Sequence, residues 1–531
     1  MSLPETAISV AELLENVSSQ HSQNIALRYG SQSWDYMDLN EISTRLANGL
    51  WHLGIRPQMH VALWSDTTPN AVFLFYALQK IGAVAVLLNT GLKEEGLLKQ
   101  LEMVNAEFLF IGDHWNQIEF DYQEVLKQFS QDCVLRILEE KNDKKGDFSK
   151  LIHLGGEVEY GVGNIDRESL ALILFTSGTT TAQYRAVPIL GGQLTFGAKQ
   201  KIIDLDMDEN DRVCSVIPMF HTFFININLM STLAAGACLV LPKTRKMKIV
   251  LETLQESQST MLSSVPSIYL ALIGQKDFEN YDLKSLRTGI IGGASCTYDQ
   301  FCHIEDSLKF TLLPALGQTE VVAGITIASL MDPIEVRATT VGHFIPYLEW
   351  KIKKINPTEK DDVVGEILLR GPTVINKYYT KGLPLEYDDK TWLHTGDLGW
   401  CDDKGNLHLS GRIKDIIIRG GENIVPKELE VFLSQDPRVL KCKAIPIPDM
   451  HYGEEICMCV VCKSGVNMIP DEVKELMRAK FATYQIPKWV FFFEEFPYNH
   501  TGKIAKRELI QLAKEEISKT YKKTKSCTEN S

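Results

Sequence analysis

Short apolar runs that alternate with helix-periodic segments constrain this chain more than any other feature. A helix-periodic stretch at 39–53 is followed by a strand-like run at 60–64, a helical stretch at 70–81 and a second strand-like run at 84–88. Parallel strands need a crossover between them, so this rhythm calls for α/β architecture, with layered sheets covered by helices. A polar, lysine-rich interval at 139–150 reads as a surface excursion. The alternation then resumes through 170–175, 213–218, 239–242, 261–264 and 289–291. After Gly365 the runs shorten, and 366–370, 399–401 and 407–409 around a turn at 402–406 suggest a small barrel-like part. The last stretch has Pro426 at a helix start, strands at 441–447 and 456–462, a helix at 470–481 and a closing helix near its end. It reads as a small α+β domain. A chain of 531 residues exceeds one hydrophobic core. The expected division is therefore an N-terminal domain of residues 1–411 and a C-terminal domain of residues 412–531.

Charge narrows the partners. Lys plus Arg number 55 against 68 Asp plus Glu, a net charge of −13 that repels a polyanion, so nucleic acid is excluded and any phosphate site must be built locally. No basic residue precedes Arg28, which leaves no n-region for a secretory signal. The apolar stretch 71–89 is interrupted by Gln79 and Lys80, so no stable membrane insertion and a cytoplasmic location are expected. The cysteine cluster Cys457, Cys459 and Cys462 lies in a strand-like run with no fourth ligand at zinc spacing, and reads as strand packing. Cys527 stands too far from the end for a prenylation box. The lysines 519, 522, 523 and 525 fit a solvated helix end better than a membrane contact.

The apolar run 170–175 leads directly into Thr176-Ser177-Gly178-Thr179-Thr180. Four hydroxyls around one glycine suit a phosphate-binding turn, because glycine lets the backbone approach and the hydroxyls donate to phosphate oxygens. By itself such a turn is more often only a turn. Further islands follow in order: Pro218-Met219-Phe220-His221, Gly292-Gly293-Ala294, Leu316-Gly317-Gln318-Thr319-Glu320, Thr395-Gly396-Asp397, Gly411-Arg412-Ile413-Lys414-Asp415, Gly421-Glu422-Asn423-Ile424-Val425-Pro426, and Pro497 to Gly502-Lys503. Together they resemble the adenylate-forming superfamily, which includes acyl-CoA synthetases, firefly-type luciferases and the adenylation domains of peptide synthetases.

The resemblance implies an enzyme that uses ATP, Mg2+ and CoA with a small carboxylic acid. It places Thr176, Ser177, Gly178, Thr179, Thr180 and Arg185 at the phosphates, and Gly293, Ala294, Leu316, Gly317 and Gln318 around the nucleotide. Asp397 would accept from the ribose hydroxyls with Arg412 beside it, although a turn-capping Asp and a surface ion pair would look the same. Glu320 would be linked to the metal, with Thr319 next to it, since a hard cation prefers carboxylate and phosphate oxygens; an isolated Thr-Glu pair would suit a helix start equally. Lys503 would bridge the substrate carboxylate and the α-phosphate. Lys414 corresponds to the hinge, and Gly420 and Gly421 to the path of the CoA arm. Phe220, His221, Phe223 and Phe224 would line an acyl pocket. They include no Asp to pair an amino-acid ammonium, so a fatty or aryl acid is favoured; ordinary core packing of the phenylalanines fits as well.

The chain also departs from the family pattern. After Thr180 it reads Thr181-Ala182-Gln183-Tyr184-Arg185-Ala186, one residue longer than the usual Gly-x-Pro-Lys-Gly, with Arg185 in place of the lysine. On the resemblance alone, Arg185→Lys is expected to keep or improve activity. Leu316 replaces a usual Tyr, and Ser295-Cys296 replaces a small residue followed by Pro. The leading expectation is acyl-AMP formation followed by transfer to CoA. Two alternatives stay open: loading of a separate carrier protein, and a nucleotide or acyl binder without turnover. A homodimer is also compatible with the sequence.

Overall fold

A computed structural model describes residues 3–112, 114–115, 118–119, 127, 134–137, 147–156, 164–177, 184–294, 296–354, 364–381, 391–420, 422–498 and 504–528. Most of the polar interval 139–150 lies outside them. The chain divides into two compact units, one of residues 1–350 and 369–393, the other of 351–368 and 394–531. The expected boundary after residue 411 falls inside the second unit, because the short strands that precede it group with the C-terminal part.

The first unit holds a six-stranded sheet in the order Tyr184–Leu190, Leu170–Ser177, Val84–Leu87, His60–Trp64, Phe108–Gly112, Val134–Ile137. All its neighbours are parallel except Tyr184–Leu190, which folds back antiparallel on Leu170–Ser177. The helix Pro69–Ile81 crosses between two of these strands. Thr68 caps it through Ala71 N–H, Pro69 occupies its first turn, and Gly82 at φ +75° ends it in the left-handed conformation that glycine adopts without Cβ strain. Twelve of its thirteen residues are buried, which explains why its sequence is apolar nearly all round.

A nine-stranded sheet runs His343–Phe344, Val321–Ile327, Thr311–Gln318, Thr288–Ile291, Met261–Leu262, Arg212–Cys214, Cys238–Leu241, Ile25–Tyr29, Gln32–Asp35. The sequence-predicted strand at 213–218 stops at Cys214. His221 is therefore not at a strand end: it lies in a turn before a π-type helix, Phe223–Met230. The hydroxyls of Ser231 and Thr232 bond back to the carbonyls of Ile227 and Asn228 where this wide turn ends. Such back-bonding perturbs regular helix geometry.

The second unit contains a four-stranded sheet, Glu349–Lys354, Gly365–Arg370, Leu393–Cys401, Leu407–Arg412. A further sheet follows in the order Glu422–Ile424, Ile417–Arg419, Gly453–Cys462, Val439–Asp449, with Trp489–Phe492 pairing parallel to Gly453–Cys462. Cys457 and Cys459 are fully buried in this sheet. No helix among the described residues is long and apolar enough to cross a membrane.

Tyr269 ties the centre of the larger sheet together. Its buried hydroxyl lies 2.5 Å from the Leu262 carbonyl oxygen and 3.2 Å from that of Ile290, on adjacent parallel strands. Burial drives the phenol well above its usual range, so it stays a donor. Tyr269→Phe is expected to cost about 1–3 kcal/mol by stranding those acceptors, read as a lower urea midpoint.

Candidate active site

The strand Leu170–Ser177 delivers Thr176 to the end of the six-stranded sheet, and Arg185 is its cross-strand partner on Tyr184–Leu190. Gly178, Thr179 and Thr180, with residues 181–183, lie outside the described residues. Ser177 pairs with Tyr184 at the last rung of the ladder.

Leu316, Gly317 and Gln318 end the strand Thr311–Gln318. Thr319 and Glu320 form a two-residue turn into Val321–Ile327, with Gln318 paired to Val321. They do not begin a helix, since antiparallel pairing closes on both sides of them. Glu320 Oε1 accepts from Tyr378 OH at 2.9 Å and from Thr176 Oγ1 at 3.4 Å. Arg185 Nη1 donates to Tyr378 OH at 3.3 Å, and its guanidinium lies 5.1 Å from the centre of that ring. Burial first, and then the Glu320 charge, raise the Tyr378 phenol above its ordinary pKa and keep it protonated. Sequence reasoning missed Tyr378, which stands among aromatic and charged residues in no distinctive spacing; only the fold brings it between Arg185 and Glu320.

Gly293 and Ala294 follow the strand Thr288–Ile291, exposed, with Gly293 at φ +76°. Phe220 and His221 are adjacent rings 4.5 Å apart, His221 exposed and Phe220 half-buried. Thr222 Oγ1 donates to the Val322 carbonyl at 3.4 Å, which ties this aromatic segment to the strand that starts beside Glu320. Phe223 is half-buried at the start of the π-type helix. Phe224 is different: it has no exposed surface and packs in the main core, so it serves as a core ring, with no face open to an acyl group.

In the second unit Asp397 and Arg412 are register partners on adjacent antiparallel strands, and Arg412 Nε lies 2.7 Å from Asp397 Oδ1. Asp397 is buried and Arg412 exposed. Thr395 Oγ1 donates to the Ile367 carbonyl and accepts from Asp397 N–H, while Gly396 between them has φ +70°. This local irregularity at Gly396 within the strand Leu393–Cys401 fixes the carboxylate and leaves its partner guanidinium toward solvent. Lys414 sits in the short 3-10 turn Ile413–Asp415, where loss of water to its neighbours and the Arg412 charge pull its ammonium below its usual range. Asp415 in that turn pairs with Lys506 at 2.7 Å, at the start of the closing helix. Gly420 has φ +60° and donates its N–H to the Tyr452 carbonyl. Gly421 and Lys503 lie outside the described residues. Tyr498 and Ile504, on either side of the Lys503 segment, form an antiparallel bridge.

A divalent cation fits Glu320 by donor chemistry. Among the described residues no group of three or more His, Cys, Asp or Glu could hold a metal. Mg2+ usually keeps several waters and binds through one or two carboxylates plus substrate phosphates, so a single carboxylate beside phosphate-seeking groups suits it.

Comparison with known proteins shows the class of the chain. Residues 14–379 match the AMP-binding enzyme family and residues 428–503 the AMP-binding enzyme C-terminal domain. The chain belongs to the AMP-binding enzyme family. A feruloyl-CoA synthase from Amycolatopsis sp is 28% identical, over 91% of this chain and 95% of its own length. The mitochondrial medium-chain acyl-CoA ligase ACSF2 of Mus musculus is 26% identical, over 90% and 82%. The solved structure of Bacillus subtilis o-succinylbenzoate CoA synthetase with ATP and magnesium is 26% identical, covers 94% of this chain and 98% of that one, and superposes with a TM-score of 0.76. The chain is an AMP-forming acid–CoA ligase, for which ATP and CoA are co-substrates and Mg2+ the cofactor.

Asp397→Asn keeps the side chain's shape but removes the negative charge that the sequence resemblance assigns to a ribose. It is expected to raise the KM for ATP about ten- to a hundredfold, the worth of a charged hydrogen bond, as read in ATP–pyrophosphate exchange.

Proposed function

We propose that the chain activates a fatty or aryl carboxylic acid to acyl-AMP and transfers the acyl group to CoA, releasing AMP and pyrophosphate. The observation that carries this reading is the Glu320 carboxylate, held at a hairpin tip by the hydroxyls of Thr176 and Tyr378 with Arg185 beside them. The substrate carboxylate attacks the α-phosphorus as the bond to pyrophosphate breaks; the CoA thiol then attacks the acyl carbon and AMP leaves. Thr176 and Arg185 hold phosphate oxygens, with Ser177, Gly178, Thr179 and Thr180. Bound at Glu320, Mg2+ would neutralise phosphate charge. Gly293, Ala294 and the strand end Leu316–Gln318 border the nucleotide, and Asp397 with Arg412 takes the ribose.

Phe220, His221 and Phe223 offer an aromatic wall without a carboxylate, tied to the Glu320 hairpin through Thr222. Such a wall favours an apolar acid over an amino acid. The names of the relatives agree with that class, since they include a feruloyl-CoA synthase and a medium-chain acyl-CoA ligase. Lys503 stabilises the charge on the transferring groups. Lys414 acts as the hinge of a C-terminal body of residues 412–531, and Gly420 and Gly421 border the CoA arm. The cytoplasm is the proposed setting.

The test is pyrophosphate release with ATP and Mg2+ across short, medium, long and aryl acids, with and without CoA. Release dependent on one apolar acid class and stimulated by CoA is expected. Silence across the panel, or discharge only onto a phosphopantetheinyl protein, would overturn the reading. Lys503→Ala is expected to abolish acid-dependent pyrophosphate release while sparing the reaction of preformed adenylate with CoA. Equal loss in both half-reactions would contradict its role.

A further inference from the structure

Arg185 stands where the resemblance places a lysine, and the structure gives the arginine a particular use. It lies directly opposite Thr176 across the hairpin. Its guanidinium sits over the Tyr378 ring and donates to the Tyr378 hydroxyl, which in turn donates to Glu320 Oε1. The phenol is thus acceptor for one charged group and donor to another, and such a chain polarises each bond in it.

The backbone fixes Tyr378 in this position from both sides. Ile375 N–H donates to the Glu320 carbonyl at 3.0 Å, and Tyr379 N–H to the Ala186 carbonyl at 2.9 Å. Val374 bridges antiparallel to Val321, and Gln193 Nε2 holds the Pro372 carbonyl. Tyr378 is therefore suspended between the residue after Arg185 and the residue that bears the carboxylate. A lysine could supply a cation near the ring, but it lacks the planar fork that stacks on the ring and bonds its hydroxyl together.

Resting on the proposed adenylation reading, we propose that Tyr378 is a positioning residue for Glu320 and that Arg185 acts through Tyr378, so that the loop cation sets the geometry of the acidic tip. This reverses the expectation that a lysine at 185 is tolerated. Without the Tyr378 hydroxyl, Glu320 loses the nearer of its two side-chain donors and the carboxylate is free to change rotamer, which weakens its hold on a cation shared with the triphosphate.

The experiment uses Tyr378→Phe, Arg185→Lys and the pair in the full-length enzyme. One arm measures the free Mg2+ needed for half-maximal acid-dependent ATP–pyrophosphate exchange. The other measures ATP binding by calorimetry at a series of Mg2+ concentrations, without acid or CoA. Each single variant is expected to raise the Mg2+ requirement about three- to tenfold in both arms, the scale of one lost hydrogen bond. The KM for the acid and the melting temperature should stay near wild type. Arg185→Lys keeps a cation for the phosphates and removes only the fork that holds Tyr378, so the double variant should be no worse than the more affected single one. Three results would overturn the proposal: a Tyr378→Phe titration that superimposes on wild type, effects that multiply in the double variant, or a lower melting temperature with an unchanged Mg2+ requirement. If the wild type shows no acid-dependent exchange, the proposed function fails, and the calorimetric arm still decides the role of Tyr378.

Discussion

Two backbone hydrogen bonds made by one short segment organise the candidate site. Ile375 N–H holds the carbonyl of Glu320, and Tyr379 N–H holds the carbonyl of Ala186. Buried peptide groups must find partners, and here the partners belong to two different sheets of the first unit. The segment 371–379 therefore works as a clasp. It joins the tip of the Thr311–Gln318/Val321–Ile327 hairpin to the turn end of the Leu170–Ser177/Tyr184–Leu190 pair, and the acidic and basic side chains of the site come with them.

The second unit follows the same principle with strand register in place of a clasp. Asp397 and Arg412 face each other because Leu393–Cys401 pairs antiparallel with Leu407–Arg412, and a register shift between Leu398 and Gly399 adjusts the ladder beside them. A one-residue slip would turn one of the pair to the opposite face. The 3-10 turn that follows is fixed to the closing helix by Asp415 and Lys506. Arg419 reaches the buried Glu455 with two nitrogens, at 2.8 and 3.0 Å, and lies over the Tyr452 ring beside Gly420. A buried carboxylate needs such a paired cation, and the pair holds the end of the strand Ile417–Arg419, just before Gly420, in one place.

Much of this was legible along the chain. The strand His60–Trp64, the helix Pro69–Ile81 and the strand Leu170–Ser177 follow closely from periodicity. Other features were not. The run 213–218 has strand-like composition but pairs only as far as Cys214, and the following aromatic stretch enters a π-type helix. Phe224 resembles its pocket-candidate neighbours in sequence, yet it faces the core, because adjacent residues on a helix point in different directions. The boundary after residue 411 suited the change in composition, but most of the four-stranded sheet that precedes it, including Leu407–Arg412, groups with the C-terminal unit.

The sequence by itself determined the alternation of strands and helices, the order of the motifs and the chemical type of each candidate residue, since these depend on local periodicity, turn chemistry and side-chain identity. Only the tertiary structure decided that Tyr378 stands between Arg185 and Glu320, nearly two hundred residues from one and about sixty from the other. Which groups meet at a site is set by sheet order and by backbone pairing between distant segments, and neither leaves a spacing in the chain that can be read beforehand.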